Sequence, residues 1–292
     1  MDKNKIIKAG EIAYEVKKYA RSIIKKDMLL LEIAELIEGK IKELGGEIAF
    51  PVNLSINDVA AHYTPNHNDE TKAHGLLKID IGIHVDGWIA DTAFSLDLED
   101  NEENKKLIEA SLKALENATK IIKENIKLNE IGKTIQETIE SFGFTPIINL
   151  SGHSLEQYDL HAGITIPNIN NKQNTQIKQG LYAIEPFATS GNGRVYDGKP
   201  SGIYRLINNK NIRSPIARET LKLIEEKYNK LPFCSRWIVK KLGTKALIGI
   251  KQLEENGNLH NYSQLIESSH RKVSQAENTV LISKDNILIT TN

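Results

Sequence analysis

The chain has little cysteine, no net charge and no long apolar run, and each absence excludes a class of protein. The single cysteine, Cys234, rules out an intramolecular disulfide and suits a reducing compartment. Its 38 basic residues balance 38 acidic residues, so no overall field draws the chain to nucleic acid or to a membrane surface. No stretch approaches the roughly 20 apolar residues of a membrane helix, and the charged, amphipathic start lacks the pattern of a secretory signal. We therefore expect a cytoplasmic protein whose 292 residues bury a full core in one large domain or two smaller ones.

Five residues of metal-ligand type stand out, each inside a strand-like or turn-like phrase. They are Asp80 in KIDIG, Asp91 in IADTAF, His153 in SGHS, Glu185 in YAIEPF and Glu277 in SQAENTVLI. Four carboxylates and one imidazole, if folding gathers them, suit a pair of divalent cations and would be costly in an apolar core.

The first two of these residues flank a predicted hairpin. The dipeptide DG between two apolar phrases predicts a two-residue turn in which Val85 pairs with Trp88. This register places Gly82 opposite Asp91, and the alternation of a strand then sends Asp80 and Asp91 out of the same face. Their Cα atoms would be about 7–8 Å apart. Two carboxylates at that distance repel each other unless cations bridge them or protons neutralise them. The alternative is a pair of surface aspartates on an exposed hairpin, and the other three ligand-type residues favour the metal site.

The apolar spacing predicts two helices followed by strands, twice in succession. The predicted helices cover about 6–24, 30–44, 107–122 and 131–142, with strand-like phrases up to Phe94 and again at 147–148 and 181–184. Two such blocks predict an α+β fold with a pseudo-two-fold repeat, in which helices pack on one side of a curved antiparallel sheet. The ligand-type residues all fall on the strand parts, so we expect the other face of the sheet to form the site.

A third block departs from this order. Residues 212–267 are mostly helical in pattern, so we predict an inserted helical subdomain over 205–268 within a catalytic domain of 1–204 and 269–292. Its spacing resembles a winged-helix module. Ten Lys or Arg residues against six Asp or Glu residues in 212–267 are more typical of a solvated face than of a nucleic-acid interface.

Five phrases carry a resemblance to a known family. They are FPVNLSINDVAAHYTPNHND, KIDIGIHVDGWIADTAFS, SGHSLEQYDLHAG, GLYAIEPFATSGNG and SQAENTVLI. Together they resemble the methionine aminopeptidases, specifically the type II branch of archaea and eukaryotes, over essentially the whole chain. The resemblance implies the "pita-bread" α+β fold, with a helical insert where that branch has one.

The resemblance also implies a metal-ligand set. Asp80 would chelate one ion, His153 and Glu185 would bind the other, and Asp91 and Glu277 would bridge the two. Four carboxylates with a neutral imidazole balance the charge of two divalent cations, and without them the cluster repels itself, so metal should also stabilise the fold. Oxygen-rich ligation with one nitrogen suits Co, Mn, Fe or Zn, and the sequence leaves the identity open.

Two histidines have catalytic roles implied by the same resemblance. His62 in AAHYTPN matches the position that contacts the substrate backbone near the scissile bond, and His161 in DLHAG matches one that stabilises the tetrahedral intermediate. Glu185 would shuttle the proton of the water that attacks the first peptide carbonyl. The other five histidines keep a structural interpretation.

The methionine pocket is implied at three positions. Phe50 and Leu160 match its apolar wall and Tyr262 matches a type II residue at its edge, although each could equally be ordinary core. The chain departs from the family pattern at Ala276 and Asn278, which replace bulkier or imidazole side chains on either side of the last ligand. These replacements leave the shape of the pocket open.

The implied function is removal of the initiator methionine from nascent chains whose second residue is small, by a monomer. One alternative is an X-Pro dipeptidase or aminopeptidase P, which has the same fold but usually adds an N-terminal domain and has different histidine motifs. Another is a non-catalytic relative that binds RNA, ribosomes or other proteins, although such relatives typically lack metal ligands. Whether the insert contacts the ribosome is also left open.

Overall fold

The computed structural model describes residues 1–284 and 286–292, and it combines seven named helices with short antiparallel sheets. The helices are α1 (Lys3–Ile23), α2 (Leu30–Glu43), α3 (Glu102–Ile121), α4 (Leu128–Ser141), α5 (Pro215–Tyr228), α6 (Ser235–Leu242) and α7 (Ala246–Glu255). The strands are β1 (Glu47–Ile56), β2 (Val59–Ala61), β3 (Leu76–Val85), β4 (Trp88–Asp97), β5 (Thr145–Pro146), β6 (Ser151–Leu155), β7 (Thr165–Pro167), β8 (Gly180–Ile184), β9 (Phe187–Thr189), β10 (Val195–Leu206), β11 (Phe233–Cys234), β12 (Leu259–Glu267), β13 (Val273–Gln275), β14 (Asn278–Ile282) and β15 (Ile287–Ile289). The predicted order of two helices followed by strands, repeated once, is therefore confirmed.

The first helix of each block begins at a side-chain cap and buries one apolar stripe. Asp2 accepts a hydrogen bond from the Lys5 amide at the start of α1, and Asn101 accepts one from the Asn104 amide at the start of α3. The buried face of α1 packs with α2 against β1, β3 and β4. The buried faces of α3 and α4 pack against β8 and β14 in a second cluster. Each block thus has its own core, and the ligand-type residues lie on or directly beside the strands that pack against these cores.

The β3–β4 hairpin has the predicted register. Val85 pairs with Trp88 and Gly82 with Asp91. Asp86 has φ 48° and the following glycine 82°, the two positive φ values that a type I′ turn requires. Asp80 and Asp91 therefore leave the same face of the hairpin, as expected from the pleat.

The five-stranded sheet, in the order β15-β14-β8-β6-β7, contributes the remaining ligand-type residues. His153 lies on β6, but Glu185 follows the last residue of β8 and Glu277 precedes the first residue of β14. Both glutamates still belong to the strand parts of the chain, because Glu185 lies between β8 and β9 and Glu277 forms an antiparallel bridge with Ala93 of β4. The strand predicted at 147–148 lies two residues earlier, as β5; the Ile147 amide still donates to the Phe187 carbonyl at 3.0 Å, and a turn begins at Ile148.

The third block begins with helices and ends in a strand. Helices α5, α6 and α7 surround a hydrophobic cluster of their own. The end of the stretch predicted as mostly helical is instead β12, which pairs with both β10 and β2. Arg236 of α6 forms a buried bidentate ion pair with Glu38 of α2, with N–O distances of 2.8 and 2.7 Å, which fixes the helical block on the first one. The domain boundaries at 204 and 268 stay a prediction.

Among the described residues, no helix combines the length and the apolar character that a membrane crossing demands.

Candidate metal centre

The ten residues singled out from the sequence line one cavity of about 300 Å³. The β3–β4 hairpin contributes Asp80 and Asp91, and the five-stranded sheet contributes the imidazole and two glutamates. The two candidate catalytic histidines and the three candidate pocket residues complete the list: Asp80, Asp91, His153, Glu185, Glu277, His62, His161, Phe50, Leu160 and Tyr262. The five other histidines lie outside the described lining of this cavity.

Three of the ligand-type residues are within coordination range of one ion. One ligand atom each of Asp91, His153 and Glu277 lies within 4.8 Å of the other two. The Nε2 atom of His153 is 3.7 Å from Asp91 Oδ2 and 3.5 Å from Glu185 Oε1. Asp91 is 3% exposed and Glu277 is 2% exposed, so these charges are shielded from solvent.

Asp91 and Glu277 are held together although 185 residues separate them in sequence. The Glu277 amide donates to the Ala93 carbonyl at 2.9 Å, and the Thr92 hydroxyl donates to the Glu277 carbonyl at 2.9 Å. The Thr279 hydroxyl donates to the Asp91 carbonyl and accepts from the Asp91 amide, both at 2.8 Å. These bonds join the edge of the hairpin to β14 and fix both carboxylates at the same end of the cavity.

The ligand-type residues are buried beside one another, and this shifts their pKa values. Burial raises the pKa of Asp80 to about 7. Burial, with the neighbouring carboxylates, raises the pKa values of Asp91, Glu185 and Glu277 well above the ordinary range. Burial and the nearby His161 lower the pKa of His153 to about 3, so its ring is neutral at pH 7.

The donor set fits divalent cations. One buried oxygen each of Asp80 and Asp91 has no hydrogen-bond partner among the described residues. Carboxylate oxygens without donors, beside a neutral imidazole nitrogen, are ligands that Mn, Fe, Co and Zn ions accept, and two such ions would neutralise four carboxylates. The residues present could therefore hold a pair of these ions.

His62 and His161 are neutral groups on the cavity wall. The Nδ1 atom of His62 lies 3.1 Å from the Ser263 carbonyl oxygen, which can only accept, so Nδ1 carries the proton and Nε2 is left as an acceptor. Its φ of 64° places this residue in the left-handed region that side chains rarely adopt. The ring of His161 is 4.4 Å from the ring of His153. Desolvation, with the nearby His62 and Arg205, lowers the pKa of His161 to about 4.

The apolar part of the cavity depends on a close approach of ring and backbone. A β-carbon at Gly82 would come within 2.2 Å of the Phe50 ring, so the ring occupies space that only glycine leaves free. The two positions that depart from the family pattern do not line the cavity: Ala276 is buried in the second core, and the Asn278 side chain bonds to Lys17 and Thr291.

The cavity also contains residues that sequence reasoning missed. Among them are Asn53, Ile203, Pro232 and Leu265. Asn53 lies in one of the phrases that carried the resemblance, and it pairs with Asp80 across the β1–β3 ladder. A predicted register for these two strands would have placed it beside Asp80. The other three come from distant parts of the chain, and local pattern does not bring them together.

Comparison with known proteins gives a consistent result. The model of metallopeptidase family M24 matches residues 4–282. A methionine aminopeptidase of Thermococcus onnurineus is 47% identical over 99% of this chain and 99% of its own. A solved thermophilic Arx1 superposes with a TM-score of 0.84 at 14% identity, covering 98% of this chain and 90% of that one. The crystal structure of a methionine aminopeptidase from Thermotoga maritima superposes with a TM-score of 0.71 at 21% identity, covering 99% and 96%. The expected α+β pita-bread fold is thereby confirmed.

Proposed function

We propose that this chain, which belongs to metallopeptidase family M24, hydrolyses the peptide bond that follows an N-terminal methionine. The main support is that the candidate metal ligands, the candidate catalytic histidines and the apolar pocket residues come from distant segments and line one cavity. Family membership and this cavity together support a metal-dependent aminopeptidase. The substrates are peptides and nascent proteins with an initiator methionine.

The five ligand-type residues would hold two divalent cations. Asp80 would bind one ion, His153 and Glu185 would bind the other, and Asp91 and Glu277 would be shared between them. Bound divalent cations supply Lewis acidity, which polarises a carbonyl and lowers the pKa of water towards neutrality. Burial of these ligands keeps bulk water out and strengthens the electrostatic interactions inside the cavity.

The apolar wall selects the first residue. Phe50 and Leu160 are packed in one hydrophobic cluster beside the ligands, and Tyr262 is close to His62, with 5.5 Å between their rings. A cavity of about 300 Å³ is at the small end of ligand pockets. It has room for one unbranched thioether side chain, and the same small volume supports a preference for a small second residue.

The neutral histidines position and stabilise the substrate. Because Nδ1–H of His62 donates to Ser263, its Nε2 accepts a hydrogen bond from a substrate backbone N–H. His161, neutral at pH 7, donates an N–H to the oxygen on which negative charge develops. Glu185, whose buried carboxylate has a raised pKa, takes the proton of the attacking water and passes it to the leaving amine.

Residues 205–268 form an inserted subdomain in this proposal. Its support is the separate hydrophobic cluster formed by α5, α6 and α7. Its attachment to α2 is the buried Arg236–Glu38 ion pair, and its contribution to the cavity wall includes Tyr262.

A peptide panel tests the proposed function. Metal-loaded protein should cleave Met-Ala-Ser, should cleave Met-Trp-Ser much more slowly, and should leave Ala-Pro peptides intact. Cleavage of Ala-Pro peptides in preference to Met-Ala-Ser would favour an X-Pro peptidase instead. No cleavage of any peptide by protein with bound metal would contradict the proposal.

A further inference from the structure

Lys17 of α1 donates three hydrogen bonds to residues near the proposed metal ligands. Its ammonium donates to the Thr92 hydroxyl at 3.3 Å, the Asn278 side-chain oxygen at 3.2 Å and the Thr291 carbonyl at 2.7 Å. An ammonium group has three protons, and all three are used. Lys17 does not belong to the described lining of the cavity, so it does not touch a substrate there.

Two of these acceptors adjoin proposed bridging ligands. Thr92 follows Asp91 and Asn278 follows Glu277. Because the Thr92 hydroxyl accepts from Lys17, its one proton is free to donate to the Glu277 carbonyl at 2.9 Å. The bonds therefore run in one direction, from the Lys17 ammonium through Thr92 to the backbone of the opposite ligand.

The third acceptor, Thr291, belongs to the segment after β15 and connects that segment to α1 and β14. The Thr291 hydroxyl donates to the Asn278 side-chain oxygen at 2.9 Å and accepts from the Thr279 amide at 3.0 Å. Gly10, two helical turns before Lys17 and on the same face of α1, lies so close to Thr290 that a β-carbon there would be 2.1 Å from its carbonyl oxygen. Residues 290 and 291 thus pack between helix α1 and β14.

The positive charge of Lys17 is opposite in sign to the charge of the ligand-type carboxylates. Burial and the nearby Arg21 lower its pKa to about 8, and the Glu277 carboxylate opposes that shift. At position 278, where this chain departs from the family pattern, the asparagine supplies an amide oxygen that accepts from Lys17.

We infer that Lys17 is a positioning residue that, with residues 290 and 291, fixes the spacing of Asp91 and Glu277 and so sets the affinity for the divalent cations. This inference rests on the proposed function and its ligand assignment. Its action is through the backbones of the two ligands, not through contact with the substrate.

The test is a calorimetric titration of Mn²⁺ into the metal-stripped full chain, alongside kinetics on Met-Ala-Ser. Lys17→Met should weaken Mn²⁺ binding by about tenfold or more, the usual effect of losing a group that orients a ligand. It should lower kcat with KM nearly unchanged. Lys17→Arg, which keeps the charge and the donors, should restore most of the affinity. Lys18→Met changes the neighbouring exposed lysine of the same helix and should behave as wild type.

Two results would overturn the inference. One is a folded Lys17→Met protein that binds Mn²⁺ and turns over as wild type. The other is a variant with a lower melting temperature but unchanged Mn²⁺ affinity when folded, which would make Lys17 merely structural. Failure of the proposed function would look different, because wild-type protein would then fail to cleave Met-Ala-Ser while Lys17→Met could still alter Mn²⁺ binding.

Discussion

The Phe50 ring packs over the α-carbon of Gly82, its cross-strand partner, where a β-carbon would meet ring carbon Cε1 at 2.2 Å. Gly82 also pairs with Asp91 on its other side. One glycine thus lies between the apolar wall of the cavity and a ligand-type carboxylate. The shape of the pocket and the position of the metal site are coupled through the backbone of β3.

Gly82→Ala should therefore displace the Phe50 ring and misplace the substrate. We expect kcat/KM for Met-Ala-Ser to fall about 10- to 100-fold, since shifts of about 1 Å near the reacting bond have effects of this size. Steady-state kinetics measures this. Gly39→Ala, on an exposed face of α2 with no atom within 4 Å of the added carbon, is the control and should keep full activity.

His161→Ala should leave the metal in place and abolish most turnover. The residue lines the cavity without belonging to the ligand-type cluster, and loss of one donor to a developing oxyanion costs on the order of 10²–10³ in kcat. Metal analysis of the purified variant, together with kcat, measures both effects. His74→Ala, at an exposed position outside the cavity, provides the comparison. Loss of bound metal in His161→Ala would contradict the assigned role.

Asp91→Asn should release metal, because it removes one negative charge from a proposed ligand. We expect affinity to fall by at least about tenfold, as for other changes at or beside metal ligands. Metal content after dialysis against a weak chelator measures the loss. Asp86→Asn changes an exposed aspartate in the same hairpin, keeps a favourable turn sequence, and should retain its metal.

The metal-free protein should become less stable as pH rises. The folded-state pKa of Asp80 is about 7, above the value of about 4 in an unfolded chain, and the three other carboxylates shift in the same direction. The folded state therefore binds more protons than the unfolded state, so stability present below about pH 4 is lost as pH rises towards and through 7. The loss is at most about 1.4 kcal/mol per pH unit for each group.

Urea unfolding of chelator-treated protein between about pH 5 and pH 8 checks this prediction. Added Mn²⁺ should raise the free energy of unfolding more at pH 8 than at pH 5, because metal competes with protons for the same oxygens. A metal-free protein that is equally stable at both pH values would show that the carboxylates do not lie close together when folded.

Local pattern was sufficient for the hairpin and for the repeated order of helices and strands. The DG turn determines the Asp80–Asp91 register within a dozen residues, and the apolar spacing of α1 to α4 is regular. The strand predicted at 147–148 was misplaced by two residues, because a buried Ile147 just after a strand looks the same in sequence as one within it. A short apolar pair does not distinguish the two.

Long-range contacts between distant segments cannot be predicted from local sequence pattern. The bonds between Asp91 and Thr279 span 188 residues, and those of Lys17 span up to 274. The sequence suggested that the ligand-type residues converge only through the resemblance to a family. It gave no signal for Lys17, which looks like any other lysine on an amphipathic helix.

Metal reconstitution is the most direct test of the central claim, that five residues from separate segments hold two divalent cations for peptide hydrolysis. Chelator-stripped protein is titrated with Mn²⁺ while bound metal per chain and Met-Ala-Ser cleavage are followed together. We expect no cleavage without metal, binding that saturates at about two ions per chain from the charge balance of the ligands, and activity that returns as metal binds. Full cleavage by metal-free protein would contradict it.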